Sequence, residues 1–269
     1  MTTQRRTAEL IDGFFSFGNG RLWGVNADNI QGNVNGVKMG YPSRILGREN
    51  SGRYHHGDLR NALIEAAVQL VAEKGVEGLT LRETARRVGV SQAAPYRHFS
   101  DKNALLAAVA EEGFRTMHRQ ILDALAQSPA DTASRLSAIG VGYVRFAVEH
   151  PAHFRIMFAQ ELARSVASPT AEQAAMAVFQ ELAAEILKGQ LSGFIRADDP
   201  IRLAVACWSI AHGLAAIVVE GLLDRRVLGP TSSVDPETLT RLVTQLLVVG
   251  LAARPATAPG GMPDKAPAP

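Results

Sequence analysis

At 269 residues, with 46% hydrophobic and 20% charged side chains, the chain can bury a substantial core and excludes a wholly disordered or repetitive fibrous protein. A formal net charge of +2 excludes a polybasic chain, so any nucleic-acid surface has to come from local placement of Lys and Arg. The single cysteine, Cys207, excludes an internal disulfide and a thiolate zinc site, as suits a reducing cytoplasm.

Residues 1–50 run from Phe14, Phe15 and Phe17 into a Gly/Asn-rich stretch with no helical or strand period, and they read as a disordered or loosely folded extension. Arg5 and Arg6 precede no continuous apolar core, so this is not a secretory signal. A basic arm along DNA would rest only on Arg21, Lys38, Arg44 and Arg48, and Met39 allows an alternative translation start. The tail, 254–269, is rich in Pro, Ala and Gly and is expected to have no fold.

Between these tails every periodic segment is helical, which predicts an all-α protein. Leu59, Leu63, Ala66, Ala67, Leu70 and Val71 form one apolar face, with Asp58 as a cap and Gly75 as a stop. Thr80 and Glu83 have capping-box spacing and open a short helix that Gly89 ends. Ser91 is expected to cap a second short helix, 92–98, and Ser100 the one starting at Asp101. Longer helices are predicted at 131–150, 152–163, 170–188, 199–223 and 235–253. Asp199-Pro200 and Asp235-Pro236 supply the start signals of the last two. The longest apolar stretch, Ile210 to Leu223, is broken by His212 and Glu220 and reads as too short and too polar to span a bilayer.

The segment LTLRETARRVGVSQAAPYRHFSDKNALL, residues 79–106, carries the functional signal. Two short helices, 81–88 and 92–98, flank the turn Gly89-Val90-Ser91 in helix-turn-helix spacing, within 80–99. Ala85, Val88, Val90 and Ala94 are small or apolar where the helices must meet. The second helix exposes Gln92, Tyr96, Arg97 and His98, while Pro95 falls in its first turn, where at most one backbone bond is lost. Phe99 reads as a packing residue.

Residues 56–106 resemble the DNA-binding domain of the TetR family, through the Thr-x-x-Glu start, the Gly-Val-Ser turn, Tyr96-Arg97-His98-Phe99, and Lys102 with Leu105. Ala94-Pro95 departs from the residues many members carry there, though the form is familiar in one branch. The resemblance implies that Ser91, Gln92 and Ala93 approach base edges and that Tyr96 and His98 touch the DNA backbone. It likewise implies backbone contacts from Thr80 and Arg82 and a phosphate contact from Lys102 at a helix start. Of these, Gln92 has base-reading chemistry, by bidentate contact with adenine.

Behind this unit, Trp208-x-x-x-His212-Gly213 resembles an effector-domain signature of the same branch, and the spacing of four puts Trp208 and His212 on one face. Phe146, Phe154, Met157, Phe158, Met176, Phe179 and Trp208 either line an apolar pocket or form plain core; His212 either borders that space or is bonded to a backbone carbonyl. His150 and His153 are rejected as metal ligands, because Pro151 separates them and no Cys or paired carboxylate completes a site. The faces of helices 199–223 and 235–253 are wider than one-sided packing needs and fit the four-helix dimer interface that the resemblance implies.

The expected organisation is a DNA-binding domain at 54–117 and a helical effector-binding and dimerisation domain at 118–253. The expected function is a cytoplasmic, ligand-responsive repressor. It would hold a double-stranded palindromic operator as a homodimer and release it on binding a small hydrophobic or aromatic effector, with no cofactor, metal or membrane. An activator of the same fold, or a helical protein-interaction module, is the alternative. An enzyme is not expected, since the chain has no glycine-rich phosphate loop, nucleophile elbow or spaced carboxylate pair.

Overall fold

The computed structural model describes residues 59–159, 168–223 and 235–253. The extension 1–50, the cap Asp58, positions 160–163 of the helix expected at 152–163, and the tail 254–269 lie outside these. Among the described residues eight α-helices follow one another: α1 (Leu59–Lys74), α2 (Leu81–Val88), α3 (Lys102–Ala126), α4 (Thr132–Glu149), α5 (Pro151–Met157), α6 (Pro169–Leu191), α7 (Pro200–Val219) and α8 (Pro236–Leu251). A 3-10 turn, Pro95–Arg97, lies between α2 and α3. Among the described residues the only β pairing is an isolated antiparallel bridge, Ile195 with Ala252, which ties the α6–α7 turn to the end of α8. The all-α expectation holds.

Local chemistry sets the helix ends. Asp131, Asp199 and Asp235 each accept a hydrogen bond from a backbone N–H of the first turn, at 2.8, 2.9 and 2.8 Å. Pro200 and Pro236 occupy the first helical position, where the missing N–H costs nothing. α1 ends at Lys74 because Gly75 takes a left-handed φ of 73°. Pro151 divides α4 from α5.

α1 packs on α2 and α3, α3 crosses α4, α5 and α6, and α4 lies between α7 and α8. One hydrophobic cluster runs through the whole assembly, from Leu63 and Leu70 through Leu106, Met117 and Phe146 to Ile186 and Leu251. α3 is continuous through the division expected at 117–118, so it belongs to both the helix-turn-helix and the bundle behind it.

α7, taken from Pro200, is 20 residues long with a mean hydropathy of 1.7, long and apolar enough to cross a membrane by length and composition alone, a test that the core helix of a soluble protein also passes. It packs against α4 and α6 but keeps Ile210 and Ile217 exposed.

The turn after α2 gives a direct test. Gly89 has φ of 78° and no atom within 4 Å of the place a Cβ would occupy, so substitution meets backbone strain alone. Gly89→Ala should cost about 1–2 kcal/mol in urea unfolding, without altering the helix content read by circular dichroism.

Candidate nucleic-acid interface and effector cavity

Thr80 begins α2 with extended backbone, and its Oγ1 accepts from the Glu83 N–H at 3.1 Å. The expected return contact from the Glu83 carboxylate does not form. That carboxylate accepts instead from Arg86 at 2.7 Å and Lys74 at 2.9 Å, and these bonds hold its pKa down to about 2. The box is half made because two cations outcompete one backbone N–H. Gly89 then closes the helix, with Val90 N–H donating to the Ala85 carbonyl at 3.0 Å.

The second helix differs from expectation. In place of a helix over 92–98 capped by Ser91, there is a turn followed by the 3-10 segment Pro95–Arg97, whose N-cap is Ala94. Pro95 has no N–H to return to Ser91, so the chain tightens to three-residue steps: Ala94 to Ser91, Arg97 to Ala94 and His98 to Pro95, at 2.9–3.2 Å. Likewise Asp101, not Ser100, caps α3, accepting from Ala104 N–H at 2.9 Å, while Ser100 Oγ donates to Asp101.

Thr80, Arg82, Ser91, Gln92, Ala93, Tyr96 and His98 are all exposed, with Tyr96 52% accessible despite its ring. Lys102 is half-buried, and its Nζ donates to the Val76 carbonyl at 2.8 Å, leaving two of its three donors for another acceptor. Phe99 is buried under the Arg60 guanidinium, 5.5 Å from its ring centroid, as a packing residue should be.

Charge is unevenly matched across this face. Arg86 is paired with Glu83 and Arg87 with Glu73. Among the described residues no carboxylate pairs with Arg82, Arg97 or Lys102. These three cations, carried by α2, the 3-10 turn and the start of α3, have no described carboxylate partner, which suits a polyanion.

The second candidate site is a cavity of about 180 Å³ inside the bundle. Of the expected residues, Met157, Phe158, Met176, Phe179 and Trp208 line it. Phe146 and Phe154 do not; both are buried in the adjacent core. Helical spacing had placed them on an apolar face but could not say which part of that face borders a void.

His212 also stands behind the wall, bonded not to a carbonyl but to a side chain: its Nδ1 lies 2.9 Å from the Tyr143 hydroxyl. Trp208 Nε1 donates to the same oxygen at 3.3 Å. Burial raises the Tyr143 pKa and lowers that of His212, so both groups are held neutral, with the phenol oxygen accepting from the indole and sharing a hydrogen bond with the imidazole Nδ1. Phe158 lies 4.4 Å from His212 and 5.8 Å from Phe114, centroid to centroid, in edge-on contacts.

Tyr143, Phe114 and Met117 line the cavity and had escaped the sequence reading. The spacing Ile139-Tyr143-Phe146 was the available signal for Tyr143, since a tyrosine within an apolar stripe needs a buried partner for its hydroxyl. His150 and His153 stack edge-on at 5.8 Å, and burial with the nearby His150 brings His153 down to about 4.

Comparison with known proteins agrees with both halves. The family model for bacterial regulatory proteins of the tetR family matches residues 63–109, and that for the tetracyclin repressor-like C-terminal domain matches 136–246. An HTH-type transcriptional regulator of Mycobacterium tuberculosis strain H37Rv is 31% identical over 175 residues, 64% of this chain and 88% of that protein. The class A tetracycline repressor from Escherichia coli is 55% identical over 51 residues, 19% of this chain and 24% of the repressor. A solved structure from Rhodococcus sp. RHA1 superposes with a TM-score of 0.63 at 29% identity, covering 76% of this chain and 100% of its own. The fatty acid degradation regulator FadR of Bacillus halodurans shares the fold, with a TM-score of 0.58 at 17% identity over 73% of this chain and 97% of its own. The chain belongs to the tetR family of DNA-binding transcriptional regulators.

Proposed function

We propose that this regulator is a cytoplasmic, ligand-responsive repressor that holds a palindromic operator as a homodimer and releases it when an effector fills the bundle cavity. The observation that carries the reading is α3: one unbroken helix starts beside the exposed 91–98 segment and, further along, supplies Phe114, Met117 and Ile121 to the cavity wall. In this reading residues 54–117 are the DNA-binding unit and 118–253 the effector and dimerisation unit. Ser91, Gln92 and Ala93 face base edges, and Thr80, Arg82, Tyr96, His98 and Lys102 hold phosphates.

Met157 is the second link between the sites. It lines the cavity, and its sulfur sits 2.5 Å from where a Cβ on Gly113 would be, so α5 presses directly on α3. α5 also touches α1. A ligand that displaces Met157 or Phe158 thereby favours a different placement of α1 and α3, and it acts only through its differential affinity for the two placements.

Binding to DNA upstream of the gene, followed by mobility shift and footprinting at two salt concentrations, tests the operator. A protected palindrome with strongly salt-dependent affinity is expected. Tyr96→Ala should weaken that binding about tenfold with the dimer intact, and Gln92→Ala should relax discrimination at one base pair by about 1–3 kcal/mol. Sequence-indifferent binding, or dissociation of the Tyr96→Ala dimer, would refute the assigned roles. Reporter output that falls when the gene is deleted would make the protein an activator.

A further inference from the structure

The cavity wall also constrains the chemistry of its ligand, an inference that rests on the reading of this cavity as the effector site. Most polar side chains in the wall are already engaged by the protein. Tyr143 is shared between Trp208 and His212. Thr240 Oγ1 donates to the Pro236 carbonyl at 2.7 Å, Thr244 Oγ1 to the Thr240 carbonyl at 2.8 Å, and Ser168 Oγ meets Thr170 Oγ1 at 3.0 Å. Burial raises the Cys207 thiol to about 11, so it stays protonated and is a poor partner.

Glu172 stands apart. Among the described lining residues it is the one Asp, Glu, Lys, Arg or His, on the α6 face that also brings Ala175, Met176 and Phe179 to the cavity. Among the described residues its carboxylate has no hydrogen-bond or ion-pair partner. Burial raises its pKa, the response of an anion that loses water and gains no counter-charge. The wall also carries the aromatic side chains of Phe114, Phe158, Phe179 and Trp208, and most of the remaining lining residues are apolar.

The geometry points to a lipophilic cation as the effector class: an apolar or aromatic body filling the cavity, with one ammonium-type charge set against the Glu172 carboxylate. Such a ligand supplies the missing counter-charge and gains from the aromatic faces, whose quadrupoles attract quaternary ammonium groups. A carboxylate ligand would instead place like charges together in a largely apolar cavity. Glu172 also lies in the first turn of α6, where a negative charge is favoured by the helix dipole. The test therefore separates a ligand role from a purely helical one.

Benzyltrimethylammonium, its uncharged isostere neopentylbenzene, and 3-phenylpropanoate form the probe set. Binding is read from Trp208 fluorescence in the full chain carrying Trp23→Phe, which leaves one tryptophan of two. The cation should bind about tenfold more tightly than the isostere, and the anion most weakly. Glu172→Gln should remove most of the cation's advantage, leaving only what the aromatic faces supply, while the isostere's affinity stays unchanged. A cation preference undiminished by Glu172→Gln overturns the proposal, as does an isostere or anion that binds as tightly as the cation. So does a Glu172→Gln variant with lowered thermal stability and unaltered affinities, the signature of a helix-end role alone. In these cases isostere binding still supports the cavity as a ligand site. If none of the probes perturbs Trp208 or releases operator, the effector reading of the cavity falls with it, while operator binding by mobility shift remains an independent result.

Discussion

Leu246→Glu is expected to convert the regulator from a dimer to a 28.8 kDa monomer in sedimentation and to weaken operator binding by two orders of magnitude or more, roughly 10²–10⁴-fold, as linked half-site binding is lost. Leu246 is 67% exposed in the isolated chain, and Leu242 and Val249 continue its stripe along α8 at spacings of four and three. On α7, Ala206, Ile210, Gly213 and Ile217 form a matching stripe, all at least partly exposed. Among the described residues Gly213 has nothing within 4 Å of its Cβ position, which leaves its bare backbone open to a closely approaching partner helix. In the proposed homodimer, two such stripes from each protomer would make a four-helix interface. A carboxylate at 246 would be trapped there without a cation, at a cost that exceeds what the contact supplies. Because the side chain touches little within the protomer, the folded monomer should keep its thermal midpoint and helix content. A variant that remains dimeric would remove α8 from the proposed interface.

The parts of this molecule legible in the sequence are those decided within one helical turn. Asp199-Pro200 and Asp235-Pro236 start helices whatever surrounds them, and Gly75 and Gly89 stop them because each is in the left-handed region. The cap expected at Ser100 falls instead to its neighbour Asp101, whose side chain accepts from the Ala104 N–H. Glu83 shows how a local rule yields to tertiary context, since Lys74 reaches it from nine residues away. Pro95 shows the reverse, a local constraint underestimated: one missing N–H turns an expected α-helix into a 3-10 turn. The cavity was the least legible part. Periodicity assigned Phe146, Phe154, Met157 and Phe158 to apolar faces without distinguishing filled core from void, and it gave no reason to notice Glu172, an ordinary helix-start residue that lines the cavity.

The ion pair between α4 and α6 should respond most to a single substitution in the core. Glu185 is 1% exposed, and it accepts from Arg135 Nε at 2.9 Å and Nη2 at 2.8 Å, and from Lys188 Nζ at 2.6 Å. Burial alone would raise its pKa, but the bonds from Arg135 and Lys188 more than reverse this and hold it below the ordinary value of 4.5. Its contribution to stability is therefore present above the unfolded pKa and lost as pH falls through the folded one. Arg135→Ala removes the bidentate partner and leaves a buried carboxylate with only Lys188, whose own side chain is 47% exposed. Urea unfolding at pH 7 should show a loss of about 3 kcal/mol, the low end for breaking a buried pair because one cation remains. The sign of the pH dependence should also reverse. With Arg135 gone, burial dominates and lifts the folded pKa above the unfolded one, so the variant regains stability on lowering the pH from 7 towards 5, where the wild type gains none from this group. Arg135→Met combined with Glu185→Leu should return to within about 1 kcal/mol of wild type, since the cost lies in the stranded charge and not in the loss of the pair. Equal pH slopes for wild type and Arg135→Ala would show that Lys188 and solvent suffice to hold Glu185, and that the fork from α4 adds geometry without adding stability.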